Sequence, residues 1–380
     1  MIGDDVMQFV APCLLGLEGL AANDLKFKGI EDVRAENGRV LFSGDESTLV
    51  RANLCSSLCA RIGILLTEFE ARDFDTLFEG VKAVDWSRYI GKRDAFPVKG
   101  NSLDSVLTSI PACQKIIKKA VVEKLKESYH TSWFEEDGGV HQIQFRIFKN
   151  RVTILLDTTG QALNKRGYRA LSNDAPMKET LAAAMAELAR VRGNHTVVDP
   201  FCGSGTILIE SARKAMKIMP GIDRGFAFEN WAQINPSITE TERQRVKQEE
   251  RRDADFVAYG YDIDEASLEI ARRNAELAGV GDRIVFANRD IRDYADDFER
   301  VSVITNPPYG ERMLDVEEAR KLYRVMGEKF LQKPFHSYTI ISPDDRFESC
   351  FGRIADKRRK LYNGTLRCQV YMYYKNSFVE

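Results

Sequence analysis

Four consecutive residues, Asn306, Pro307, Pro308 and Tyr309, suit the task of holding a weakly nucleophilic amine. They follow the apolar run Val301-Ser302-Val303-Ile304-Thr305 and precede Gly310. Two prolines remove two backbone donors and fix φ at both positions. Carbonyl oxygens beside them can then face a pocket with no competing N–H. The Asn306 amide oxygen and the Pro307 carbonyl could both accept from an exocyclic NH2 group. Such a nitrogen attacks poorly, because its lone pair is delocalised into the ring. Held by two acceptors, it becomes more tetrahedral, with the lone pair aimed at an electrophile. In-line positioning is then the main contribution, and no strong base is needed at the start. Pro308 completes the turn, and Tyr309 offers an aromatic face on which an extruded base can stack. A plain Pro-Pro turn is the alternative without chemistry.

A second informative stretch lies upstream, where Val197-Val198-Asp199-Pro200-Phe201-Cys202-Gly203-Ser204-Gly205-Thr206 takes an apolar strand into a glycine turn and a helix. Glycines let the backbone approach a ligand closely, and a helix N-terminus offers free N–H groups. The spacing lacks a full GxGxxG, so a dinucleotide site is the weaker choice, and a tight structural turn is an alternative. Two later strands end in acidic residues, Tyr261-Asp262-Ile263-Asp264 and Asn288-Arg289-Asp290. Asp262 could accept from a ribose diol and Asp290 from an adenine amino group. Helix capping is the alternative for Asp262, Asp264 and Asp290. Three acidic strand ends in succession favour a nucleoside.

These residues need a parallel sheet behind them. From Met177 onward, strand-like and helical patterns alternate: HTVVDPF, GTILIESARKAM, FVAYGYDI, EASLEIARRNAELAG, RIVFANRDI, VSVIT, KLYRVMGEKFL and SYTIISP. Such alternation predicts a parallel sheet with helical crossovers. Pro176 is expected to open the helix that precedes them, MKETLAAAMAELARV. The first 157 residues differ. FVAPCLL reads as a strand, LEGLAANDLKFKG as a helix ending at Gly29, and Asn37-Gly38 as a hairpin turn. A second α+β texture follows: RIGILLTEFEA, a helix over FDTLFEGVKAVDWSRYI, a strand AFPVKG, the amphipathic helix IPACQKIIKKAVVEKLKESY, and two strands joined at Lys149-Asn150. Ile116, Ile117, Ala120, Val121 and Leu125 form that helix's apolar stripe. The expected organisation is 1–60, 61–157, a connector at 158–175, and 176–380. The charged run ITETERQRVKQEERRDAD reads as an exposed helix between units.

Composition narrows the class. The chain has 380 residues, 44% hydrophobic and 29% charged, as soluble globular domains do. No apolar run reaches the ~20 residues that span a bilayer, and no signal peptide is evident, so a cytoplasmic location is expected. Seven scattered cysteines and four histidines show no metal-ligand spacing, so neither disulfides nor a metal is expected. Cys55 and Cys59 alone sit close, spaced as one helical turn. A net charge of −2 counts mildly against a nucleic-acid partner. Charge is locally concentrated, however, at Lys115, Lys118, Lys119, Lys124 and Lys126 and again at Arg353 and Lys357 to Lys360. For such runs a solvated helix face is the bland reading.

DPFCGSGT, YDID and NPPYG in this order resemble class I methyltransferases acting on amino nitrogens. Asn164-Lys165-Arg166-Gly167-Tyr168-Arg169, Ala175-Pro176-Met177-Lys178-Glu179-Thr180 and the segment Pro220 to Trp231 resemble, more narrowly, the RlmL-type family. Its members are THUMP-containing enzymes that methylate guanine N2 in 23S ribosomal RNA. The resemblance covers essentially the whole chain. It implies a Rossmann-like methyltransferase domain preceded by ferredoxin-like and THUMP units, with S-adenosylmethionine as cofactor. RNA, as 23S rRNA or a pre-ribosomal particle, would be the partner. Asp199, Gly203 and Gly205 would border the methionine part of the cofactor, Asp262 the ribose and Asp290 the adenine, with Pro200, Thr206, Ile263 and Asn306 also at the cofactor. Asn306 to Tyr309 would hold the target amine. Lys115, Lys118 and Lys119 become candidate RNA contacts. Lys165, Arg166 and Arg169 would contact RNA phosphate or order a lid. Some relatives carry a second methyltransferase domain, for which this chain ends too early.

Rival readings share the motif. Guanine N2 in tRNA, adenine N6 in DNA and a protein glutamine amide all present a poorly nucleophilic nitrogen. The THUMP-like region argues for RNA. A noncatalytic ribosome-assembly factor with a degenerate fold is opposed by the intact Asp199, Asp262, Asp290 and Asn306. Cysteine-dependent C5 methylation lacks a cysteine beside NPPYG.

Overall fold

The computed structural model describes residues 6–169, 177–310, 316–364 and 366–374. In chain order come β1 (Met7–Pro12), α1 (Glu18–Phe27), β2 (Arg34–Glu36), β3 (Arg39–Gly44), α2 (Glu46–Cys55), β4 (Gly63–Glu70), α3 (Phe74–Lys82), β5 (Val98–Leu103), α4 (Ile110–Tyr129), β6 (Ile143–Phe148) and β7 (Arg151–Asp157). There follow α5 (Glu179–Leu188), β8 (Thr196–Asp199), α6 (Thr206–Ala215), α7 (Pro236–Gln248), β9 (Val257–Asp262), α8 (Glu265–Leu277), β10 (Ile284–Asn288), β11 (Val301–Thr305), α9 (Val316–Lys329), β12 (His336–Ser342), α10 (Phe347–Phe351), β13 (Lys357–Asn363) and β14 (Leu366–Tyr373). The chain forms two compact units. One comprises Met1–Cys13, Ala22–Leu163 and Arg224–Arg245; the other comprises Leu14–Ala21, Asn164–Asp223 and Val246–Glu380.

The first unit is built on one seven-stranded sheet, ordered β2-β3-β1-β4-β7-β6-β5. The two α+β textures of the sequence share it, because β1 pairs antiparallel with β4 through Phe9↔Ile64 and Val10↔Gly63. β7 lies inside the sheet, and all but its first residue are buried, Thr153 and Asp157 included. The Lys149-Asn150 turn carries two left-handed residues, φ 50° and 63°, as a tight hairpin turn of primed type requires. Helix starts follow capping chemistry: Asp45, Asp73 and Ser109 each accept a backbone N–H of the first turn.

Four sequence expectations change here. The α3 pattern was expected to run through Ile90 but stops at Lys82. Trp86 is fully buried and its indole N–H bonds the Val81 carbonyl at 2.9 Å, which turns the chain back in a 3-10 turn. α2 ends at Cys55, so Cys59 does not extend it and pairs instead in an isolated bridge with Cys13. The charged helix α7 is not simply exposed: Glu242 is buried and accepts from Arg51 at 3.3 Å and Ser47 at 2.9 Å. The segment leading into α7 also belongs to this unit. Phe228 N donates to Thr158 O at 3.1 Å, and Trp231 donates to Val140 O at 3.0 Å while stacking on His141 at 4.5 Å. Lastly, Lys118 is not a solvated cation. Its ammonium sits 3.5 Å from the Phe96 ring centroid and pairs with Glu136 at 2.7 Å, and burial lowers its pKa. Lys115 and Lys119 remain exposed.

The second unit carries a seven-stranded sheet ordered β10-β9-β8-β11-β12-β14-β13. The five strands from β10 to β12 are parallel, and β14 and β13 close the sheet antiparallel. The expected crossover fold is thus present, with an antiparallel hairpin the sequence reading did not anticipate. The basic run at Lys357 to Lys360 lies on the strand β13, not on a helix face. α5 begins at Glu179, after an extended Lys178; Ala175 and Pro176 lie outside the described residues. Val198, Val303 and Ile340, one from each central strand, are completely buried beneath the edge where the motifs gather. Among the described residues no helix is long and apolar enough to cross a membrane.

Candidate active site

From β8 the chain moves outward to β9 and β10, then returns to β11 on the other side of β8. The crevice at the carboxyl ends of β8 and β11 is therefore a topological switch point, where open parallel sheets bind ligands. Asp199, Asp262, Asn288 and Thr305 are the last residues of their strands. Registers Asp199↔Gly260 and Asn288↔Asp262 bring them to one edge.

The loop after β8 is set by backbone geometry. Gly203 has φ 50° and Gly205 φ 79°, a region side chains rarely adopt. A Cβ on Gly205 would lie 3.1 Å from Ala271 Cβ and 3.2 Å from the Phe286 ring, so that glycine is also a packing necessity. A Cβ on Gly203 would meet nothing within 4 Å. The open side of Gly203 leaves room for a ligand to approach the backbone, and α6 starts beside it with no side-chain cap on its first amides. The fit to a nucleoside-bearing cofactor is therefore good in both shape and donors. Ser204 and Thr206 are buried behind the loop, and Pro200 leads into it.

Asp262 shapes this loop directly. One carboxylate oxygen accepts from Gly203 N at 2.9 Å and the other from Asp264 N at 3.0 Å. Asp264 caps α8, so for that residue capping is what the structure displays. Ile263, between them, is 69% exposed, an apolar side chain free to cover a flat ligand. Asp290 caps a short turn through Arg292 N at 2.7 Å and pairs with the Arg292 guanidinium at 2.8 Å.

Asp199 is completely enclosed. It accepts from Phe201 N at 3.1 Å and from the Thr305 hydroxyl at 2.7 Å. Burial pushes its carboxyl pKa up to about 7, against those two bonds and with help from the nearby Asp262 charge. The Cys202 thiol is likewise raised, by burial and by Asp199 and Asp262, so it is a poor nucleophile.

Asn306 follows Thr305 at the mouth of the crevice. The Tyr309 hydroxyl donates to the Asn306 side-chain oxygen, and the Tyr323 hydroxyl bonds the Pro308 carbonyl at 3.1 Å. The expected stacking residue thus rests against the acceptor it was expected to assist. Burial raises the Tyr309 pKa well above its ordinary value, leaving the hydroxyl a donor.

Two of the three connector cations, Arg166 and Arg169, are turned inward rather than toward an RNA phosphate. Arg166 is 1% exposed and pairs with Glu210 at 3.5 Å, while Tyr168 donates to the same carboxylate at 2.9 Å. Arg169 bonds Thr206 Oγ1 at 2.6 Å and Met177 O at 3.1 Å and pairs with Glu179 at 3.4 Å. Arg166 thus braces α6, and Arg169 ties α5 to α6 behind the glycine loop; neither is displayed to a phosphate. Lys165 is exposed. Sequence reasoning also missed Thr305, a fully buried residue whose only sequence signal is its place before Asn306.

A Rossmann-like sheet with a glycine loop at its switch point, and Asn-Pro-Pro-Tyr directly after the adjoining strand, is the frame of a class I methyltransferase. Residues 166–372 match the RMKL-like methyltransferase domain, residues 8–63 the RlmL ferredoxin-like domain and residues 71–157 the THUMP domain. The chain belongs to the RMKL-like methyltransferase family. It is 38% identical to YpsC of Bacillus subtilis, provisionally named an RNA methyltransferase, over 96% of this chain and 95% of that one. It is 31% identical to the ribosomal RNA large subunit methyltransferase K/L of Psychromonas ingrahamii, over 96% of this chain but 49% of that protein. The chain thus spans about half the length of the K/L proteins it matches. The solved structure of SMU.472, provisionally a methyltransferase and complexed with SAH, superposes with TM-score 0.92 at 39% identity, covering 97% of this chain and 98% of that one.

Proposed function

We propose that the protein uses S-adenosylmethionine to methylate the exocyclic N2 of a guanine in 23S rRNA, as free RNA or within an assembling large subunit. The observation that carries the reading is the tie between Asp199 and Thr305, which sets the cofactor-type glycine loop directly beside Asn306. Support for RNA comes from the THUMP match and from relatives named as RNA and ribosomal RNA methyltransferases. Action on ribosomal RNA implies a cytoplasmic location. Domain boundaries near residues 60, 157 and 175 complete the proposal.

Residues take the following parts. The open side of Gly203, with Pro200, Gly205 and Thr206, receives the methionine portion of the cofactor. Asp262 and Ile263 hold the ribose side and Asp290 the adenine. When bound, the cofactor supplies an electrophilic methyl on a sulfonium. The Asn306 amide oxygen and the Pro307 carbonyl accept from the guanine N2 amino group and aim its lone pair. Tyr309 leaves Asn306 and stacks on the flipped base. Pro308, held by Tyr323, keeps the turn rigid. The proton departs from nitrogen after transfer, so the site requires no strong base.

The test is transfer of labelled methyl from S-adenosylmethionine to total RNA from a strain lacking the gene, with nucleoside analysis, and in parallel to DNA and total protein from the same strain. Label in N2-methylguanosine of large-subunit rRNA is expected. Label confined to tRNA, to DNA adenine or to a protein glutamine would replace the substrate assignment. Cofactor binding with no acceptor at all would favour an assembly factor.

A further inference from the structure

Strand register places a basic finger beside the candidate active site. The last pair between β12 and β14 is Ser342↔Gln369, yet β14 begins three residues earlier, at Leu366. β13 accompanies it to the tip through Leu361↔Cys368, Tyr362↔Arg367 and Asn363↔Leu366. The hairpin therefore overhangs the carboxyl end of β12 by roughly 10 Å at ~3.3 Å per residue. That is the edge on which Asn306 lies, since β11 and β12 run parallel with Thr305 opposite Ile340.

The two faces of the tip differ. Leu361 and Cys368 are buried, and the Tyr309 hydroxyl lies against the Asn363 and Cys368 side chains. The opposite face presents Lys360, Tyr362 and Arg367, all exposed, with Tyr362 and Arg367 directly across from each other. Neither strand contains an acidic residue. Arg358, nearer the base, is already matched by Glu348 at 2.8 Å. What remains at the tip is two cations around an aromatic ring, the chemistry that recognises an unpaired polynucleotide: phosphate for the cations, a base face for the ring.

We propose that Lys360, Tyr362 and Arg367 grip the single-stranded RNA flanking the target nucleotide, holding the strand while the target base enters beside Asn306. This rests on the RNA reading above. Lysine on an exposed edge strand also discourages edge-to-edge pairing, and that role alone would leave RNA affinity untouched.

The test uses the full chain and labelled 23S rRNA from a strain lacking the gene, with dissociation constants measured across a salt series. SAH affinity serves as the check on folding. Each phosphate contact contributes roughly 0.7–0.9 to the slope of log Kd against log salt. The double variant K360Q/R367Q is expected to lose between one and two units of slope and at least tenfold in affinity near physiological salt. Y362A is expected to weaken binding with the slope unchanged. Wild-type slope and affinity in both variants, with SAH binding intact, would overturn the proposal. If the double variant loses SAH affinity, the single variants K360Q and R367Q decide by the same slope. A chain that binds this RNA through the hairpin yet transfers no methyl would sink the functional reading and leave the hairpin assignment standing.

Discussion

The Thr305 hydroxyl donates to Asp199 Oδ1 at 2.7 Å, joining the last residue of β11 to the last residue of β8. Both are buried, so the bond has no water to compete with it. It sets the spacing between the glycine loop and Asn306. Thr305→Val should leave the fold intact but cost about 1–3 kcal/mol, the penalty for stranding a buried acceptor. Turnover should fall more than cofactor affinity, and Thr305→Ser should restore most of it. Equal kcat in the valine and serine variants would remove the positioning role.

Asp199 also makes stability depend on pH. Its folded pKa of about 7 lies above the ordinary ~3.9 of an unfolded aspartate. Between those values the folded chain holds the proton and the unfolded chain does not. This group's contribution to stability is therefore full below pH ~4, declines as pH rises, and is gone above ~7. Asp199→Asn, which needs no proton, should gain on the wild type in melting temperature from pH 5 to pH 8. Parallel melting curves for the two proteins would refute the assignment.

Asn306 and Tyr309 can be separated by two substitutions. Asn306→Ala should lower kcat by about 10²–10³, the cost of losing one positioned polar group, with SAH affinity nearly unchanged. Tyr309→Phe removes the hydroxyl that occupies the Asn306 oxygen but keeps the ring, so turnover should stay within about fivefold, whereas Tyr309→Ala should lose about 1–3 kcal/mol of base stacking. A phenylalanine variant as slow as the alanine variant would show that the hydroxyl, not the ring, matters.

For Asp262 the loss should fall on the cofactor. Its carboxylate fixes Gly203 N and is the assigned ribose acceptor. Charge-assisted bonds of this kind are worth about 1.5–3 kcal/mol each. Calorimetry should therefore show SAH bound at least tenfold more weakly by Asp262→Ala. Unchanged affinity would exclude the ribose contact.

Arg166 tests bracing against RNA contact. Removing one partner of a buried ion pair costs about 3–5 kcal/mol. Arg166→Met should lower the melting temperature markedly, and adding Glu210→Met should recover part of it. Salt dependence of RNA binding should not change in the double variant; a slope reduced by one unit would return Arg166 to the RNA.

Much of the second unit was legible because its chemistry is local. A strand running into Gly203-Ser204-Gly205, and another into Asn306-Pro307-Pro308, announces its edge of the sheet without tertiary information. What escaped was long-range. Nothing near Arg166 in sequence signals Glu210, and charged residues are seldom fully buried unless paired. Lys357 to Lys360 lack apolar periodicity, so β13 gains its strand state from pairing with β14 alone. The single sheet of the first unit depends on the pairing of β1 with β4, which join strands of two separate sequence textures.

The buried Phe228 and the Trp231–His141 stack bear on how the molecule is made. The sheet of the first unit is finished at Asp157, yet the residues that cover Thr158 and His141 are drawn from Arg224–Arg245, after residues 164–223 have been committed to the other unit. Chains emerge from the ribosome N-terminus first at about 5–20 residues per second. For several seconds the nascent first unit waits without its own lid, and a fragment cut at Leu163 would wait permanently. The first unit is therefore not completed by its N-terminal residues alone: a transplant of residues 6–163 leaves Thr158 and His141 without the cover that Arg224–Arg245 supplies.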